Sequence, residues 1–356
     1  MTFRECRLGV LLEIMREVNS DIDARKCFLI SGGMRNAYYV MAYRKMKMWG
    51  LCGCGETNVP GIFELLDIPY EVINSEKFWD TFRNDENKDE KFYVLPVVRS
   101  VLNTESVEME KYNLIGHSYF LVSHIEKDRM YFRTIYQKDI TVRMDEYYIT
   151  QNVFSQMNNN SEWIKEAEFE GYIIKKSDLK ECKKLQDLAA KSELELLEMN
   201  IQKFLLNEKN VGAQRTERYD GEQTYEALQR YFEEMLSFNK KVEGTNKEQA
   251  FKNFIYIQLA NFRKMLVSGT DGYYRTEFLE ILSSYSKYSE YIEEWNQIIA
   301  LWRNLGRALA VAQSKKVLFG KTETILNNIL SIWKDVAAKE MALINRMQKE
   351  ILGKVS

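Results

Sequence analysis

A chain of 356 residues is long enough for about two domains with cores of their own, and 45% hydrophobic with 29% charged residues is a globular balance that excludes disordered and fibrous classes. Fifty basic against 52 acidic residues leave a net charge of −2, so the chain has no bulk electrostatic drive toward nucleic acid or an anionic membrane. Nowhere do about 18 apolar residues run together, so no membrane span is expected.

The opening segment carries Arg4, Glu5 and Arg7 around a short apolar stretch, too short for the apolar core of a signal peptide. The expected location is therefore cytoplasmic, with Cys6, Cys27, Cys52, Cys54 and Cys182 as thiols. Cys6 directly precedes Leu8, Leu11, Leu12 and Met15, a helical spacing that puts it at or near a helix N-terminus. Gly32 and Gly33 permit positive φ, either to shape a cleft or to make a plain tight turn. In GLCGCGET, Gly50, Gly53 and Gly55 suggest a flexible turn. Cys52 and Cys54 lack the second ligand pair of a structural zinc site, so no metal is expected, although either thiol is an alternative nucleophile.

Three β-rich runs follow, at 92–98, 117–125 and 130–136, bounded by polar turns. Residues 1–155 therefore read as an α+β domain. The two histidines, His117 and His124, share the middle run. In a regular strand positions seven apart point to opposite faces, so only one of them can serve a given site. His117, after Gly116 at the strand start, is the favoured base.

From residues 161–169 onward the pattern turns helical and rich in Glu, Lys, Leu and Ala, so 156–356 is expected to be a helical bundle of roughly six helices. Its loop candidates are 207–223, 242–248, 267–275 and 318–323. Tyr273, Tyr274, Trp295 and Trp302 are expected in a core or interface. No phosphate-binding loop, dinucleotide fingerprint or Gly-x-Ser-x-Gly elbow is present, so nucleotide chemistry is not indicated.

What remains is a thiol and an imidazole. A cysteine at a helix start is biased toward thiolate by the unpaired N–H groups and the positive end of the helix dipole. Joined to a strand-borne histidine that takes its proton, it becomes a nucleophile toward carbonyl carbon.

Several segments resemble one family in one order along the chain. ECRLGVLLEIMREVNSDIDARKCFLISGGMRNAYY looks like the opening of the butirosin biosynthesis protein H family, with Cys6 at its helix start and ISGGMRNAYY (30–39) echoing a glycine-rich element. GIFELLDIPYEV (61–72) is similar to the family's leucine-rich helix, GHSYFLVSHIEKDRMYFRTIY to its histidine hairpin, and SGTDGYYRTEFLEILSSYS (268–286) to a signature of its helical domain. The resemblance implies a papain-like α+β domain followed by an all-α domain. It implies an amide-forming acyltransferase of nonribosomal-peptide-like or thioamide biosynthesis, which moves an acyl group from a carrier-protein thioester to a small amine. Cys6 is then the nucleophile and His117 the base, phosphopantetheine arrives on the acyl or peptidyl carrier protein, and no resident cofactor is needed. Thr134 stands where the family hairpin has an aspartate, so the group that orients His117 is the neutral Thr134 or the following Asp139. The oxyanion hole needs the Cys6 N–H and a second donor.

Two other readings use the same residues: a papain-like peptidase or thioesterase with water as acceptor, and a non-catalytic binding protein whose helical half docks a carrier. Arg215, Arg218, Arg263, Lys264 and Arg275 are the basic residues available for such docking. Arg275 also has a structural reading, tying the two halves together.

Overall fold

The computed structural model describes residues 6–33, 37–43, 46–52, 59–74, 77–98, 117–133, 140–145, 147, 170–206, 217–268 and 274–353. Helix α1 (Cys6–Val18) opens the fold. Leu8, Val10, Leu11, Leu12, Ile14 and Met15 are all buried, on more than one side of the helix, as in a helix enclosed by other elements. Each of these side chains gains roughly 2 kcal/mol by leaving water. Helix α2 (Ala24–Ile30) starts at Asp23, whose carboxylate accepts from the Lys26 N–H at 2.9 Å. It ends at Gly32 and Gly33.

Strands β1 (Ala37–Tyr43) and β2 (Met46–Cys52) pair antiparallel. Cys52 thus lies in a strand, opposite Ala37, and not in a flexible turn, because Met46–Cys52 pairs along its whole length; Cys54 lies outside the described residues. After α3 (Val59–Leu65) come β3 (Glu71–Asn74), α4 (Phe78–Asn84), β4 (Lys91–Val98), β5 (His117–Glu126), β6 (Arg129–Arg133), β7 (Ile140–Arg143) and β8 (Glu170–Lys175). These six strands form one antiparallel sheet in the order β3-β8-β4-β5-β6-β7.

Side-chain alternation gives this sheet two buried faces. Phe92, Val94, Leu121, Tyr172 and Ile174 join the core that contains α1. Tyr93, Leu95, Val97, Phe120, Met130, Phe132 and Ile173 join a second core closed by Phe78 and Phe82 of α4. Pro96 lies in β4 beyond Val94, the last β4 residue paired with β8, so the missing N–H costs no bond on that ladder.

The chain then turns helical: α5 (Lys176–Glu181), α6 (Lys183–Ala190), α7 (Glu193–Lys203), α8 (Glu222–Val242), α9 (Glu248–Ser268), α10 (Arg275–Leu282), α11 (Ile292–Val311), α12 (Lys315–Gly320) and α13 (Thr322–Gly353). The described helices outnumber the expected six because four are only six to eight residues long, too short to show a period. Trp295, Trp302 and Trp333 form the centre of this region, the first two as expected.

The border expected at residue 155 does not separate sheet from helices. Strand β8 is inserted between β3 and β4, and β9 (Glu217–Asp220) pairs with β1. EGYIIK is a short β-prone run, overlooked because helical spacing is strong on its C-terminal side. One core cluster accordingly runs from Leu8 to Ile351. The molecule is α+β, with a six-stranded antiparallel sheet and a C-terminal helical region. No helix of the described residues is long and apolar enough to cross a membrane.

Candidate active site

Cys6 is the first described residue of α1 and His117 the first described residue of β5. Helix α1 packs on β5, and their relative direction follows from register and ion pairs. Strands β8 and β5 both run antiparallel to β4, so they run the same way. Near its C-terminus α1 meets the residues that follow β8: Glu17 lies 4.0 Å from Lys176 and 3.6 Å from Lys180. Further back, Glu13 lies 3.4 Å from Arg133, the register partner of Leu121 in β5. Helix and strand therefore run in the same sense. Cys6 to Glu13 is about 10 Å of helix, and His117 to Leu121 about 13 Å of strand. Cys6 and His117 thus lie toward the same end of the layer.

Alternation gives position 117 the parity of Tyr119 and Leu121, which pack into the α1-side core. Tyr119, Tyr172, Tyr70 and Phe63 make an aromatic floor there: Tyr119 and Tyr172 are 5.8 Å apart, Tyr172 stands edge-on to Tyr70 at 5.5 Å, and Phe63 tilts against Tyr70 at 5.7 Å. Burial, then the hydrogen bond to Glu64, pushes the Tyr70 phenol up to about 12. Burial, followed by the influence of Tyr119, pushes Tyr172 further up. Neither phenol supplies a base at neutral pH.

His124 sits at the far end of β5, exposed, its ring stacked on Tyr131 with centroids 4.2 Å apart and planes at 11°. The opposite-face argument for the two histidines fails, because the register shifts between Val122 and His124 and the bulged residue resets the alternation. Met130 and Phe132 enter the second core, so Tyr131, and His124 stacked on it, lie on the α1 side. What separates the histidines is length: seven residues of strand, about 20 Å. Thr134 and Asp139 lie outside the described residues.

Two of the remaining candidates are placed. Gly32 and Gly33, at φ +98° and +55°, unwind the end of α2, with Gly33 N–H donating to Phe28 O at 2.8 Å. They are a tight turn, and Gly32 also lines a cavity of about 570 Å³. Arg275 is not a docking residue. It is fully buried, donating to both carboxylate oxygens of Glu340 at 2.6 and 3.0 Å and stacking 4.7 Å over Trp302. It ties α10 to α13, both in the C-terminal region.

The cavity was not anticipated. The ends of α2 and α3 wall it on one side and α6 and α7 on the other, with Leu29, Leu66 and Leu196 at its base. Asn200 fastens the two sides: its Nδ2 donates to Leu29 O and Leu196 O, each at 2.8 Å. The sequence held one signal for it, a polar residue in the apolar period Leu196, Leu197, Ile201 of α7.

Among the described residues no three His, Cys, Asp or Glu side chains converge as a metal site. No protein-family model matches this chain, and no curated protein matches it.

Proposed function

We propose that this chain is a cysteine-dependent, amide-forming acyltransferase with a papain-like catalytic arrangement, of the butirosin biosynthesis protein H kind. The observation that carries the reading is that α1 and β5 pack together and run in the same sense, with Cys6 and His117 toward the same end. A helix N-terminus, where the apolar spacing of the sequence puts Cys6, lowers the proton affinity of a thiol, and a histidine on the adjoining strand layer is the candidate to take its proton.

In the proposed reaction His117 takes the Cys6 proton and the sulfur attacks the carbonyl carbon of an acyl thioester. The tetrahedral oxyanion is held by the Cys6 N–H and a second donor. Its collapse breaks the bond to the carrier's thiol, which leaves with the proton from His117. An amine then attacks the Cys6 thioester and the amide bond forms. The amine proton passes through His117 to the departing Cys6 sulfur, restoring the enzyme. Thr134 or Asp139 orients the imidazole in this scheme. Carrier-bound phosphopantetheine and a small amine are the substrates, and a cytoplasmic setting keeps the thiol reduced.

Intact-mass measurement on wild type, Cys6→Ala and His117→Ala, with acyl thioester mimics and with or without a diamine, tests the reading. The expected result is an acyl adduct on wild type, absent from Cys6→Ala and discharged by the amine as an amide. Discharge as free acid, with amine present, would make the protein a hydrolase; no adduct from any thioester would make it a binding protein.

A further inference from the structure

Two stretches of the helical region, 249–270 and 295–322, contain eight basic residues and not one aspartate or glutamate, in a chain whose net charge is −2. The fold brings them together, because α9 packs against both α11 and α12. The Lys252 ammonium donates to Phe319 O at 2.8 Å, and Lys315 lies 4.9 Å over the Tyr256 ring. Helix α12 therefore lies along the first half of α9. Its far end meets the end of α8, where Lys240 is 3.2 Å from Glu323 at the start of α13. Phe238 of α8 rests on Phe251 of α9, with ring centroids 4.8 Å apart.

The surface of this end is cationic and partly apolar. Lys241, Lys247, Lys315, Lys316 and Lys321 are exposed. Glu323 is engaged with Lys240, and Glu248 with Lys252 at 2.6 Å. Among the described residues 238–252 and 311–323, that leaves Glu243 to balance the five lysines. Beside them stand Phe238, 47% exposed, and Val317, 39% exposed. A concentration of one sign of charge draws a partner of the other sign and speeds its encounter, and apolar side chains set among the charges give that partner contact area. The excess cations are all lysine. Arginine, whose planar fork is the residue of choice for phosphate and nucleic acid, is not among them, so the face suits protein carboxylates better than a phosphate backbone. A helix with an apolar stripe flanked by Glu or Asp presents both complementary features on one side.

We propose that the face formed by the end of α8, the start of α9 and α12 docks an acidic amphipathic helix of a partner protein, its carboxylates toward Lys241, Lys316 and Lys321 and its apolar stripe toward Phe238 and Val317. The face is built from residues other than Cys6 and His117, and the inference stands whether or not those two react.

Fluorescence anisotropy of the full chain with a labelled helical peptide of about 16 residues, leucine along one stripe and glutamate on both flanks, tests this. Saturable one-to-one binding is expected. It weakens as salt is added and is at least about 10-fold weaker for the same peptide with glutamine in place of glutamate. Lys241→Glu, Lys316→Glu and Lys321→Glu together weaken it at least about 10-fold. Lys77→Glu, Lys183→Glu and Lys349→Glu, an equal change of net charge at exposed positions elsewhere, leave it within about 2-fold, with both triple variants folded by circular dichroism. Val317→Ser, which keeps the charge, weakens binding several-fold. No saturable binding by the wild type, equal weakening by the two triple variants, or equal affinity for the glutamine peptide would each overturn the proposal. So would binding of phosphatidylglycerol vesicles or duplex RNA more tightly than the peptide and through the same lysines, which would make the face a membrane or nucleic-acid surface.

Discussion

Arg275 and Glu340 show how much one buried contact can carry. Both side chains have no exposure, the guanidinium meets the carboxylate through two hydrogen bonds, and the Tyr225 hydroxyl donates to the same carboxylate at 2.6 Å. Burial, then the nearby Glu340 charge, raises the Tyr225 phenol far above its ordinary range, so it stays a donor. Glu340→Ala removes this carboxylate from a guanidinium and a hydroxyl that stay in the core. The expected loss is about 3–5 kcal/mol in urea denaturation, whereas Arg275→Met combined with Glu340→Met restores most of it, because two apolar groups leave no buried charge uncompensated. Legibility at this scale was uneven. The sequence marked Arg275 as more structural than substrate-binding, yet nothing in it names Glu340, 65 residues away, as its partner. That Cys6 belongs to a helix and His117 to a strand was legible because apolar spacing is a local signature. The Glu13–Arg133 pair that registers their elements joins residues 120 positions apart and has none.

At the scale of elements, the regular signals read true and the irregular ones did not. Strands β4 and β5 and helix α1 appear where apolar spacing puts them. The bulge at Ser123 does not, and it moved His124 to the other face of its strand: alternation predicts faces only while register holds. The turn ending α2 is the element on which the cavity depends. Gly33 has φ +55° and a Cβ there would stand 2.4 Å from Asn200 Oδ1, so Gly33→Ala meets two separate obstacles, a left-handed backbone and a collision. Destabilisation of at least about 1 kcal/mol is expected. Asn200→Ser, which removes the colliding atom, should recover only part of the loss in the double variant, because the backbone conformation stays unfavourable. Full recovery would show that the collision alone matters.

On the scale of the whole molecule, the decisive feature is where the chain returns. After the helical spacing begins, Glu170–Lys175 comes back between β3 and β4, and Glu217–Asp220 comes back beside β1. Without β8 the six-stranded sheet loses its link between β3 and the rest, and Ile174 and Tyr172 leave the α1-side core while Ile173 leaves the other. Arg25 of α2 holds Glu193 of α7 at 3.0 Å and Ser284 at 2.7 Å, and the Phe28 ring lies 6.3 Å from Tyr274, so helices from both ends of the sequence share one core. A fragment of residues 1–155 therefore cannot complete either sheet. It is expected to be insoluble or to lack a cooperative melt, while the full chain unfolds in a single transition followed equally by far-ultraviolet dichroism and tryptophan fluorescence. The tryptophans make the comparison sharp. Trp295, Trp302 and Trp333 report the helical region, whereas Trp49, Trp79 and Trp163 precede it, so in a variant with those three replaced by phenylalanine a fluorescence transition separated from the dichroism change would mean that the helical region melts independently of the sheet, and the two joining strands would then be attachments to a separable bundle.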